Sequence, residues 1–118
     1  MTEKKYREIL DSVHHGDLVK FKSELSSKIS PDFLQLQHCC YAKSQDTVIH
    51  MCAKLGRVDF LEYLKDILDP NELVFLVNLG NVDGKTPLHE ASQFSQVGAA
   101  AFLLNCGAKI DTIKKADW

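Results

Sequence analysis

The chain has 118 residues, and a formal net charge of −2 from 14 basic against 16 acidic side chains. That is one domain's worth of chain, with no global field to attract nucleic acid or anionic lipid. No apolar run approaches the roughly 20 residues that span a bilayer, and the charged opening Met1-Thr2-Glu3-Lys4-Lys5 is not a secretory signal. Four cysteines without a signal peptide fit free thiols in a reducing compartment, so cytoplasm or nucleus is expected.

In chain order, Tyr6, Ile9, Leu10 and Val13 have helical spacing and predict a helix over 5–13. Gly16-Asp17 breaks it, and Leu18, Phe21 and Leu25 mark a second helix over 17–26, with Lys20, Lys22, Glu24 and Lys28 on its solvated side. Ser30-Pro31-Asp32 is a helix-start signal that predicts a short helix through Phe33, Leu34 and Leu36. Thr47-Val48-Ile49-His50-Met51-Cys52-Ala53 opens a helix over 48–55, Gly56 makes the following turn, and Phe60, Leu61 and Leu64 give the apolar face of a helix over 58–67. Asp69-Pro70-Asn71-Glu72 then starts an extra helical turn carrying Leu73, Phe75 and Leu76, whose apolar content predicts that it folds back on the body.

Asp83-Gly84 is a turn dipeptide, Thr86 is placed to cap a helix, and Pro87 sits where a missing N–H costs nothing. Leu88 and Ala91 share a face of that helix, over 87–94. Ala99 to Leu104 lies in a further helix, over 97–105, which Gly107 stops in the left-handed conformation. Thr86-Pro87-Leu88-His89-Glu90-Ala91 matches the T-P-L-H-x-A pattern, and Asp83 to Asp111 resembles an ankyrin repeat from end to end. Thr47 to Ala53 is then a degenerate copy, with Val48 for the proline and Cys52 in the small buried site of Ala91. Gly16 falls in the turn of an N-terminal capping repeat with a polar outer face. Thr47 to Thr86 is 39 residues against about 33 for an ankyrin period, which places an insertion around Asp66 to Leu79.

The expected fold is an all-α solenoid of about two and a half helix-turn-helix repeats in a single domain. Its capping repeat and loop occupy 1–43, the degenerate repeat with insertion 44–82, the clear repeat 83–115, and a truncated next repeat starts at 116–118. The chain ends inside a hairpin that should introduce another helix pair, so the front end of a longer solenoid is expected. Thr86, Pro87, Leu88, His89, Ala91, Gly107, His50, Gly56 and Gly16 are assigned to structure. Within such a turn a histidine bridges the cap hydroxyl and a nearby backbone group as a neutral side chain, which leaves no acid–base role.

The resemblance implies a protein–protein interaction module, monomeric and non-enzymatic, with no cofactor, no direct contact to nucleic acid and no membrane association. Gly84 to Ser92 together with Ile113-Lys114-Lys115-Ala116-Asp117-Trp118 is similar to the opening repeats of a family member that docks on alanyl-tRNA synthetase and supports rejection of wrongly activated serine. It implies Lys115 as a serine acceptor, with Lys114 beside it. Leu55 and Phe94, at matching places before the inter-helix turns, are candidate partner contacts, with Lys85, Lys114, Lys115 and Trp118. Two other readings stay open: an architectural fragment with no partner of its own, and a thiol or metal protein using Cys39, Cys40 and Cys52. Against metal, adjacent cysteines fit one tetrahedral ion poorly, no C-x-x-C pair is present, and His50 and Cys52 are already placed by the repeat.

Overall fold

The structure, a computed structural model, describes residues 2–28 and 33–110. Among them seven α-helices run α1 (Thr2–His15), α2 (Leu18–Lys28), α3 (Val48–Leu55), α4 (Val58–Ile67), α5 (Pro70–Val77), α6 (Pro87–Gln93) and α7 (Val97–Asn105), with a 3-10 helix at Phe33–His38 before α3. Among the described residues the extended backbone amounts to an isolated antiparallel bridge between Cys40 and Thr47. The chain is therefore an all-α stack of helix pairs. The first helices α1, α3 and α6 lie side by side, α2 pairs with α1, and α7 packs both on its partner α6 and across α4.

Periodicity explains the core. Tyr6, Ile9, Leu10 and Val13 are all buried on one side of α1, and Phe21 and Leu25 answer them from α2, with Leu18 half-buried. Phe21 meets Phe60 of α4 with ring centroids 4.8 Å apart. In the second and third pairs the small buried positions Cys52 and Ala91 correspond, and Leu88 and Leu103 are sealed. Thr47 and Thr86 cap α3 and α6 by accepting from the amides of His50 and His89, both at 3.4 Å. Pro87 occupies the first turn, as the missing donor allows.

Successive pairs are also pinned at their turns. The Arg57 guanidinium reaches back to donate to the carbonyls of Val13 (3.0 Å) and His14 (2.9 Å) at the end of α1. One unit later Gln96 Nε2 donates to the carbonyl of Lys54 at 3.1 Å. These side chains satisfy carbonyls that a helix end leaves without an internal partner. Gly16 and Gly56 make this possible twice over. Both have positive φ, +74° and +70°, and a Cβ there would stand 3.1 Å from Arg57 Cζ and 2.4 Å from Gln96 Oε1.

The surplus residues form α5. Asp69 caps it by accepting from Asn71 N at 3.0 Å, and Pro70 sits in its first turn. Leu73, Leu76 and Val77 are buried at helical spacing. Phe75, expected to fold inward with them, instead faces solvent at 48 % exposure, because it lies on the opposite side of the helix from Leu73 and Leu76. Asn78 then latches the insertion to the last turn: its Nδ2 donates to the carbonyls of Val74 (2.9 Å) and Gly107 (3.1 Å), and its Oδ1 accepts from Lys109 N at 2.8 Å. Gly107 has φ +97° there, the left-handed stop expected of it. The helix-start signal Ser30-Pro31-Asp32 lies outside the described residues.

Candidate functional site

Two loops project from the stack ahead of α3 and α6. In the first, Tyr41 N donates to Asp46 O (3.1 Å) and Val48 N to Cys39 O (3.2 Å). The second is organised by Asn81, whose Oδ1 accepts from the amides of Asp83 (2.9 Å) and Lys85 (3.0 Å) while its backbone N–H donates to Lys85 O (2.9 Å). Val82 N donates to Ser44 O at 2.9 Å and joins the two loops edge to edge.

His50 braces this arrangement from beneath. Its Nδ1 accepts from Thr47 N at 3.2 Å and lies 2.9 Å from Thr47 Oγ1, which leaves Nε2–H to donate to Lys85 O at 2.8 Å in the next unit. A ring accepting at one nitrogen and donating at the other is neutral, and burial holds its pKa below the ordinary histidine value. His50 thus bridges the cap and the backbone of the next loop. His89, expected to do the same one unit later, is buried, with its amide on Thr86.

Beneath the loops lie two buried carboxylates, Asp46 and Glu90. Asn81 Nδ2 stands between them, 2.8 Å from Asp46 Oδ1 and 3.4 Å from Glu90 Oε1. Burial, then the nearby Asp46 charge, pushes the Glu90 pKa above the ordinary carboxylate range, against the pull of Lys54, Lys85 and His89.

Above this layer the side chains turn outward. Lys54 Nζ sits over the Phe94 ring, 5.0 Å from its centroid, and Lys85 Nζ is 3.5 Å from Gln93 Oε1. Phe94 is 43 % exposed, and Val82 on the second loop is 58 % exposed. Of the residues expected to contact a partner, Phe94 and Lys85 therefore share a strip with Lys54 and Gln93, which were not among the residues expected there. Lys54 could have been found: it precedes Leu55 as Gln93 precedes Phe94, one unit on. Leu55 itself is half-buried and packs against the core. Lys114, Lys115 and Trp118 lie outside the described residues.

The described cysteines are free thiols, and Cys39, Cys52 and Cys106 are buried. Desolvation is the first cause that pushes each of these three thiols upward, away from the reactive thiolate. Among the described residues no group of three or more His, Cys, Asp or Glu side chains is placed to hold a metal ion, and no helix is long and apolar enough to cross a membrane.

Comparison with known proteins places this arrangement. The model of the family described as ankyrin repeats matches residues 14–114 in three copies. Among solved structures, a chain in the crystal structure of the yeast ribosomal protein Rps3 in complex with its chaperone Yar1 superposes with a TM-score of 0.83 at 24 % identity. The alignment covers 97 % of this chain and 78 % of that one, and at this identity the likeness is one of fold.

Proposed function

The chain belongs to the ankyrin-repeat family, and from that premise we propose that it is a non-enzymatic scaffold that binds a protein partner along the Lys54–Lys85–Phe94 strip. Ankyrin repeats are protein-interaction modules. The observation that carries the assignment to this face is Phe94, an aromatic ring left 43 % exposed at the junction of two units with a lysine laid over it. Large aromatic side chains are enriched at protein interfaces, where part of the ring is buried by the partner.

The partner we propose is alanyl-tRNA synthetase. Support comes from the similarity of Gly84–Ser92 and Ile113–Trp118 to the opening repeats of ankyrin repeat domain-containing protein sixteen. In this reading Lys115, with Lys114 beside it, accepts serine that the synthetase has wrongly activated. The deprotonated ε-amine attacks the seryl carbonyl of the adenylate, an amide bond forms, and AMP leaves. A cytoplasmic or nuclear location fits the free thiols.

The test is to incubate the purified chain with alanyl-tRNA synthetase, ATP and serine, then measure co-elution on gel filtration and the mass of the chain. Co-elution that Phe94→Asp abolishes supports the strip, and a seryl mass gain that Lys115→Ala removes supports the acceptor. A chain that neither co-elutes nor gains mass overturns the synthetase reading and leaves a scaffold for another protein.

A further inference from the structure

We propose that the Lys54–Lys85–Phe94 strip takes an acidic segment of its protein partner, with one apolar side chain of that segment seated against Phe94. The inference rests on the strip being the partner-binding face, as argued above, and it goes further by naming the chemistry of what binds.

The charges around the strip are arranged asymmetrically. The two carboxylates closest to it, Asp46 and Glu90, are buried and held by Asn81. They lie below the surface, where Glu90 feels both lysines without forming an ion pair with either, so one buried carboxylate offsets the two cations only in part. Lys54 and Lys85 form no ion pair among the described residues: Lys54 rests on the Phe94 ring, and Lys85 on the neutral amide of Gln93. On the loops above, one lysine and one aspartate, Lys43 and Asp83, are exposed. A partner passing along the strip therefore meets one cation on an aromatic ring and a second on the neighbouring Gln93 side chain.

A carboxylate suits this better than a neutral or basic group for two reasons. It pairs with Lys54 or Lys85 without displacing an existing ion pair, so little is lost when it arrives. It also leaves the Phe94 edge for an apolar neighbour, which supplies area that charge alone does not. Nucleic acid is a poorer match. Phosphate binding draws on many cations in a row, and this chain has net charge −2 with two unpaired lysines on the strip.

The experiment is an amide-resonance titration of the full chain with short peptides. One peptide has glutamates around a central leucine, one has alanine in place of that leucine, and one has lysine in place of every glutamate. A single-stranded oligothymidylate is titrated alongside. The acidic leucine peptide should shift resonances at Lys54, Lys85 and Phe94, and bind less tightly as salt rises. Its affinity should fall about tenfold or more with Lys54→Glu plus Lys85→Glu, since like charges then face each other. The alanine peptide on the parent chain, and the leucine peptide on Phe94→Ala, should each bind more weakly. If the lysine peptide shifts the same strip as strongly, the acidic chemistry is overturned while the partner-binding face stands. Shifts confined to α5 and α7 overturn both readings. An oligothymidylate response on the strip equal to the peptide's overturns the proposal in favour of nucleic acid, and a chain that none of the probes perturbs overturns it outright.

Discussion

Replacing Gly56 with alanine should destabilise the stack through two separable effects. Gly56 has φ +70°, and a left-handed conformation costs an L-residue about 1–2 kcal/mol. The new Cβ would also stand 2.4 Å from Gln96 Oε1, so the glutamine must leave the Lys54 carbonyl that it caps. Losing that hydrogen bond adds about 0.5–1.5 kcal/mol. The two together predict a loss of about 1.5–3.5 kcal/mol. Gly84 is the natural control: its φ is +77°, yet a Cβ there meets nothing within 4 Å, so Gly84→Ala should show the backbone effect alone. Urea unfolding followed by far-ultraviolet circular dichroism measures both. The double variant Gly56→Ala, Gln96→Ala closes the cycle, and it should cost about 1 kcal/mol less than the two single losses added, because each removes the same hydrogen bond. A Gly56→Ala loss no larger than that of Gly84→Ala, or strict additivity in the cycle, would refute the interlock.

Leu88→Ala should cost about 2–5 kcal/mol in the same assay, because this buried side chain is packed between helix pairs; a loss under about half a kcal/mol would mean that the residue is exposed. Glu90→Gln tests the buried carboxylate, keeping an amide oxygen for Asn81 while removing the charge. With the folded pKa raised, the native state holds a proton that the unfolded chain releases, so this contribution is fully present below the ordinary glutamate pKa and is lost as pH rises through the folded value. The parent chain should therefore lose stability over that window relative to Glu90→Gln, and parallel pH profiles would refute it. Phe94→Ala should change stability by no more than about 1 kcal/mol, the worth of an exposed cation–π contact, while a thermal melt that collapses would show that the ring is core rather than surface.

The helices were legible wherever local chemistry and periodicity agreed. Thr86 and Pro87 fix the start of α6 within one turn, and the expected 48–55, 58–67 and 97–105 are the observed α3, α4 and α7. The expected 5–13 lengthens at both ends to Thr2–His15, and the expected 17–26 becomes Leu18–Lys28, starting one residue later and ending two later, because apolar spacing marks the buried face and not the frayed ends. Phe75 was misjudged because hydrophobicity alone does not say which side of a short helix a residue takes. The strip was only half legible. Phe94 and Lys85 stand out in sequence, but Lys54 reaches Phe94 across 40 positions, and the Asn81 link to Asp46 spans 35. A hydrogen bond between distant units leaves no local pattern. Leu55 and Phe94 differ for the same reason: Leu55 belongs to a unit covered on both sides, whereas the described neighbours of Phe94 lie on one side.

The α5 insertion bears on how such a chain avoids misassembly. Stacked units with interchangeable faces offer many near-degenerate arrangements, since one helix pair can dock on the wrong neighbour with much the same burial. Here Asn78 ties α5 to the backbone at Gly107 and Lys109 through two specific hydrogen bonds, each spanning about thirty residues of chain. A slipped register would set α5 against a unit that has no matching groups and lose both of these long-range bonds, at about 0.5–1.5 kcal/mol each. The irregular segment thus widens the energy gap between the native stack and its shifted competitors, lowering frustration where a perfectly regular sequence would raise it.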